Sequence, residues 1–130
     1  MPEREQVTEE HLAAIRKTSR KLAERLEGHS PQTIALTHEL LQQTETAGHR
    51  ADNLASLLHT GLQNELFDKE NLPQILRVLY QTARAGHDPR PLAMTLRTGL
   101  ATKAFAENLP QVLPMLHQTA VAGRDPDYFA

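Results

Sequence analysis

The chain has 130 residues, 39% of them hydrophobic and 23% charged, with a formal net charge of −2 and no cysteine. This mixture is too apolar for an intrinsically disordered chain, and at this length it supports one domain that buries roughly two thirds of its unfolded surface. The missing cysteines exclude disulfides, thiolate metal sites and cysteine nucleophiles, and the small negative charge gives no overall attraction toward nucleic acid.

The segment from Met1 to Thr8 is polar and reads as a flexible N-terminal leader over 1–7. It has no apolar core of the kind a signal peptide carries, and no later apolar run approaches the roughly 18 residues a membrane span needs. The expected location is the cytoplasm, with no membrane partner. Aromatic residues are confined to Phe67, Tyr80, Phe105, Tyr128 and Phe129. The core must therefore be aliphatic, which favours helix over sheet.

The first predicted helix places Leu12, Ile15, Leu22 and Leu26 on one side and Arg16, Lys17, Arg20, Lys21 and Arg25 on the other. Those five form the one concentrated basic patch and are candidates for binding nucleic acid or an acidic partner. Glu9, Glu24 and Glu27 interleave with them at helical ion-pair spacing, which favours a solvated face. Ser30 followed by Pro31 is a cap and first-turn pair that starts the next helix, and Gly48 is placed to end it in the left-handed conformation.

Beyond Gly48 the chain repeats itself. Asn71-Leu72-Pro73-Gln74 returns 37 residues later as Asn108-Leu109-Pro110-Gln111, and Leu76, Leu79, Gln81, Thr82, Ala83 and Gly86 return as Leu113, Leu116, Gln118, Thr119, Ala120 and Gly123. Leu54, Ala55, Leu58, Gly61 and Phe67 return with a shift of 38 as Leu92, Ala93, Leu96, Gly99 and Phe105. A fainter copy precedes both, with Leu12, Ala13, Thr18, Pro31 and Gln32 standing 42 residues before their counterparts.

Asp88-Pro89, and Asn71 or Asn108 followed closely by proline, mark further helix starts, while Gly86 and Gly123 mark ends. The arc of Leu72, Ile75, Leu76, Leu79, Thr82 and Ala83, repeated in the following copy, has helical period and one apolar face. Pro114, where the preceding copy has Arg77, removes a backbone donor and predicts a bend.

The expected fold is all-α: three tandem αα-hairpin repeats of about six helices, covering 8–48, 50–86 and 88–123 within one domain over 8–123, followed by a tail at 124–130. Periods near 37 belong to stacked helical hairpins, and an open solenoid and a compact bundle both satisfy the pattern. The tryptophan and small-residue spacing of tetratricopeptide repeats and the Thr-Pro-Leu-His signature of ankyrin repeats are missing.

Catalytic, metal and cofactor residues are expected to be none. The seven histidines include no pair at i, i+4 and none with a glutamate three residues before it, so the helical metal signatures are missing. His29, His49 and His87 sit beside turn glycines and read as solvated. Gly61 and Gly99, inside helices at equivalent positions, read as sites of close helix crossing, with a dimer seam as the alternative.

Opposite the apolar arc, Gln74 with Gln81 and Gln111 with Gln118 form rows of amides able to bond the backbone of an extended peptide. Tyr80 and His117 sit at one equivalent position beside them and complete the candidate partner-binding set. Tyr128 and Phe129 are the candidate self-association residues, either folding back or joining a homodimer. The functional expectation is a non-enzymatic protein–protein interaction module binding a protein or peptide, with a nucleic-acid-associated protein using the basic helix as the alternative.

Overall fold

In a computed structural model the chain is described from residue 2 to residue 124, with side chains from Thr8 onward, and among the described residues all regular structure is helical. Seven helices follow in order: α1 (Pro2–Thr18), α2 (Arg20–Leu26), α3 (Pro31–Thr46), α4 (Ala51–Gln63), α5 (Leu72–Arg84), α6 (Arg90–Leu100) and α7 (Lys103–Val121). Helix α1 takes in residues 2–7, so the segment expected as a separate leader is continuous with the first helix. Tyr128 and Phe129 lie outside the described residues.

The predicted first helix is two. Ser19 adopts an extended conformation (φ −153°, ψ 110°) and its hydroxyl accepts the Leu22 N–H at 3.2 Å, capping α2. The apolar pattern runs across this corner unchanged, with Ile15, Leu22 and Ala23 fully buried, which is why periodicity alone did not reveal it. The corner separates the layers of the fold. Helices α1, α3, α5 and α7 pack in sequence as one layer, and α2, α4 and α6 pack in sequence as the other. The layers are joined where α1 meets α2 and α4, α3 meets α4, and α6 meets α7. Among the described residues no extended packing links α1 or α2 to α6 or α7, so the stack is open rather than closed on itself.

Several punctuation marks act as read. Ser30 caps α3 by accepting the Thr33 N–H at 3.2 Å, with Pro31 in the first turn. Gly48, Gly86 and Gly123 follow α3, α5 and α7 with φ of 87°, 91° and 86°, the left-handed conformation that glycine adopts without a Cβ penalty. Asp88 starts α6 by accepting the Arg90 N–H at 3.0 Å.

Asn108 does not start a helix. It lies inside α7, where its Nδ2 donates to the Ala104 carbonyl at 3.1 Å. The reason is the residue lost between the copies. In the α4–α5 connection, Asp68 Oδ1 accepts the N–H groups of Glu70 (2.9 Å) and Asn71 (2.8 Å), while Asn71 Oδ1 accepts the Asp68 N–H (2.7 Å). This reciprocal box is a helix-starting device. The later copy has no aspartate there, and Lys103-Ala104-Phe105-Ala106-Glu107, rich in good helix formers, begins α7 early. Pro110 and Pro114 consequently fall inside a helix, whereas Pro73 stands in the first turn of α5.

Gly61 and Gly99 serve a different close approach from the one expected. A Cβ on Gly61 would clash with the ring of Phe67, and one on Gly99 would lie 2.8 Å from Phe105 Cδ1. Each glycine is thus the seat of the aromatic ring six positions ahead. For the first pair, Glu65 turns the chain with φ 60°, and the N–H groups of Leu66 and Phe67 both reach the Gly61 carbonyl, at 2.9 and 3.0 Å.

Gly61→Ala should therefore destabilise the protein by about 1–3 kcal/mol through overpacking against Phe67, although alanine is the better helix former by about 1 kcal/mol. Urea unfolding monitored by circular dichroism measures the difference. A gain in stability would show that the ring of Phe67 does not need the space.

Candidate functional site

The predicted arc of α5 is fully buried: Leu72, Ile75, Leu76, Leu79, Thr82 and Ala83 are each at most 1% exposed. Buried threonine hydroxyls in this layer are satisfied locally, Thr44 donating to the Leu40 carbonyl (2.7 Å) and Thr82 to the Val78 carbonyl (2.8 Å). Their methyl groups are left to pack, so polar residues can lie between helices without an unmet donor.

With the arc turned inward, α5 and α7 leave a surface groove of about 250 Å³ between them, lined by Gln74, Arg77, Val78, Leu113, Pro114 and His117. Val78 and Leu113, 1% and 2% exposed, are its apolar floor, and Gln74 and Arg77 are exposed on one side. His117 is half-buried on the other. Pro114 contributes a compact ring where α5 carries the long Arg77, and it has no N–H to give the Pro110 carbonyl. Among the described residues the side chains of Gln74, Arg77 and His117 make no hydrogen bond or ion pair. The groove therefore offers an apolar floor bordered by two amide or imidazole groups able to donate and accept, and by one guanidinium that only donates.

Two of the six residues expected at a partner site, Gln74 and His117, meet here. Gln118 lies in a separate shallow recess with Met115, Thr119, Ala122 and Arg124. Gln81 is half-buried and Gln111 exposed, and neither lines the groove. Tyr80 is packed against the core from its edge. The amides are thus parallel rows on two helices, not one converging set. Sequence reading missed Arg77, Val78 and Leu113 as site residues, because a groove between two helices draws on residues of both, Leu113 of the buried arc included, and no single face of either helix marks it. The replacement of Arg77 by Pro114 between copies was the available signal.

The basic residues Arg16 and Lys17 lie on α1, and Arg20, Lys21 and Arg25 on α2, all exposed and divided by the Ser19 corner. The expected pairing with Glu9, Glu24 and Glu27 does not form. Among the described residues the ion pairs are His49–Asp88, Arg50–Asp52 and Arg90–Asp88.

Two of the three turn histidines, His49 and His87, are not simply solvated. His49 Nδ1 lies 3.8 Å from Asp88, whose carboxylate is gripped by the Arg90 guanidinium at 2.7 and 2.9 Å. His87 Nε2 lies 2.9 Å from the carbonyl of Gly123. Each therefore reaches from one turn to the turn that ends the following helix pair. No group of three or more His, Asp or Glu able to hold a metal occurs among the described residues. His11 and His38 nevertheless meet across α1 and α3, with ring centroids 5.1 Å apart.

No family model, no curated protein and no solved structure matches this chain.

Burial, and then the imidazole of His11, hold the pKa of His38 below the ordinary histidine value, against the opposing pull of Glu39. Burial likewise lowers His29, with Lys69 assisting, and lowers His59, with Arg25 and Lys21 assisting. Because the unfolded chain takes up these protons first, their contribution is fully present above about pH 6.5 and is lost as the pH falls through the folded-state values. His38→Gln should accordingly show a smaller drop in urea midpoint between pH 7 and pH 5 than the unaltered chain. Equal drops would mean that His38 carries no proton linkage.

Proposed function

We propose that the protein is a non-enzymatic interaction module, a cytoplasmic adaptor or regulator that holds a protein or peptide partner in the groove between α5 and α7. The observation that supports this reading is the groove's composition: a floor of Val78 and Leu113 bordered by Gln74, Arg77 and His117, whose polar side-chain atoms have no partner among the described residues. A recess of that volume takes one side chain of an extended segment, and the flanking groups bond the backbone beside it. The reading requires no cofactor or metal, and among the described residues no helix is long and apolar enough to cross a membrane.

Arg77→Glu combined with His117→Glu alters the groove's border without touching its buried floor. Affinity purification of partners from the source cells should recover a protein whose affinity falls at least about tenfold, or about 1.4 kcal/mol, in the double variant at unchanged helical content. A partner retained equally by both forms would place the contact elsewhere.

A second reading, nucleic-acid binding by α1 and α2, draws support from the five exposed cations, which have no carboxylate partner among the described residues. It predicts retention on a heparin or DNA column that falls steeply with added salt and is abolished by Arg16→Glu with Arg20→Glu. On the favoured reading the chain passes through such a column at about 150 mM salt, where exposed charges are screened beyond about 8 Å.

A further inference from the structure

The layer containing α1, α3, α5 and α7 is built by one rule. In α3 and α5 three equivalent positions form a buried stripe, and the next helix packs on each of these two helices. In α3 the stripe holds Thr37, Leu40 and Thr44, all fully buried, and α5 packs on α3. Shifted by 38 residues the same positions in α5 are Ile75, Val78 and Thr82, at most 1% exposed, and α7 packs on α5. Shifted by a further 37 they are Val112, Met115 and Thr119 in α7, where Met115 is 69% exposed and the other two are half-buried. This third stripe continues an interface that the chain has already formed twice, with nothing described upon it.

We propose that the stripe is a self-association surface, and that its occupant is the α7 of a second copy related by a twofold axis. Charge selects this partner over the opposite end of the stack. The outer side of α7 carries Gln111, Val112, Met115, Gln118, Thr119 and Ala122, none of them ionisable; Arg124, which borders the same surface, lies past the C-terminal end of the helix, so antiparallel copies of α7 hold their two Arg124 side chains at opposite ends of the contact, away from like-charge repulsion. The exposed side of α1 carries Glu9, Glu10, Arg16 and Lys17, and seating it on the α7 stripe would strip water from charges that gain no partner. An isologous contact therefore closes as a dimer, where a head-to-tail one would grow into a filament. Length argues against residues 125–130 as the occupant. Six residues of helix extend about 9 Å, against about 28 Å for the 19 residues of α7.

The stripe is a separate surface from the α5–α7 groove, so the two readings succeed or fail independently. One helix face buries less than a standard interface of about 800 Å² per partner, and the dimer should accordingly form at micromolar concentrations or above. Sedimentation equilibrium of the full chain from about 5 to 500 µM, a range chosen to bracket that affinity, should show a monomer–dimer transition. Met115→Glu should remain monomeric throughout, with unchanged urea midpoint because the position is exposed, and Thr119→Arg should weaken the dimer likewise.

A chain that stays monomeric across the range overturns the proposal, as does a dimer unaffected by Met115→Glu. If the full chain is monomeric and ending it at Arg124 lowers its melting temperature and makes it dimerise, residues 125–130 are the occupant and the proposal falls.

Discussion

The structure depends on helices whose apolar surface is wider than any single neighbour can cover. Helix α5 buries Leu72, Ile75, Leu76, Val78, Leu79, Thr82 and Ala83, and it can do so only because α3 lies on one flank and α7 on the other. Fully burying an aliphatic side chain of this size contributes about 1.5–3 kcal/mol, so a helix deprived of either neighbour would lose much of what offsets the entropy of ordering it. Stability is consequently shared along the stack. The threonines fit this arrangement: a hydroxyl that bonds its own helix at i−4 behaves, toward the neighbouring helix, as a small branched apolar surface.

A stack built this way has ends, and the two are handled differently. At the N-terminal end the Ser19 corner divides one apolar run into α1, which covers α3, and α2, which heads the other layer. The outer side of α1 is charged, as a terminal cover requires. At the C-terminal end α7 presents the same kind of stripe that α3 and α5 bury, and Met115 stands exposed upon it. Between the ends, the turns are coupled by polar contacts of long sequence separation, His49 with Asp88 and His87 with the Gly123 carbonyl. The surfaces left for recognition, a groove between two helices and a flank of α7 that no described residue covers, are both consequences of stacking.

Much of the fold was legible in the sequence because it is written locally. A glycine that must take φ near 90°, a serine before a first-turn proline and an apolar arc of period 3.6 each report on their own few residues, and Gly48, Ser30 and the α5 arc all behave as read. Errors arose where a local mark depended on its surroundings. Asn71 belongs to a helix-starting box only because Asp68 answers it, and the identical Asn108-Leu109-Pro110, lacking that aspartate, is carried inside α7. Ser19 was overlooked because serine is tolerated within a helix and nothing in the apolar period changes at the corner. The candidate site was half legible: Gln74 and His117 meet, while Gln81, Gln111, Gln118 and Tyr80 are distributed elsewhere.

By itself the sequence determined the helical class, the self-similarity at shifts of 37 and 38 residues, the inward face of α5 and the exclusion of cysteine chemistry. Only the tertiary structure decided that the stack is open, that Gly61 and Gly99 seat Phe67 and Phe105, that His49 and His87 reach the next turn, and which residues of α5 and α7 form a groove. The physical reason is one of range. Backbone conformation and amphipathic period are set by residues within a turn or two, whereas the crossing of two helices is set by side chains that meet only after both have formed, and no short-range pattern encodes which flanks those will be.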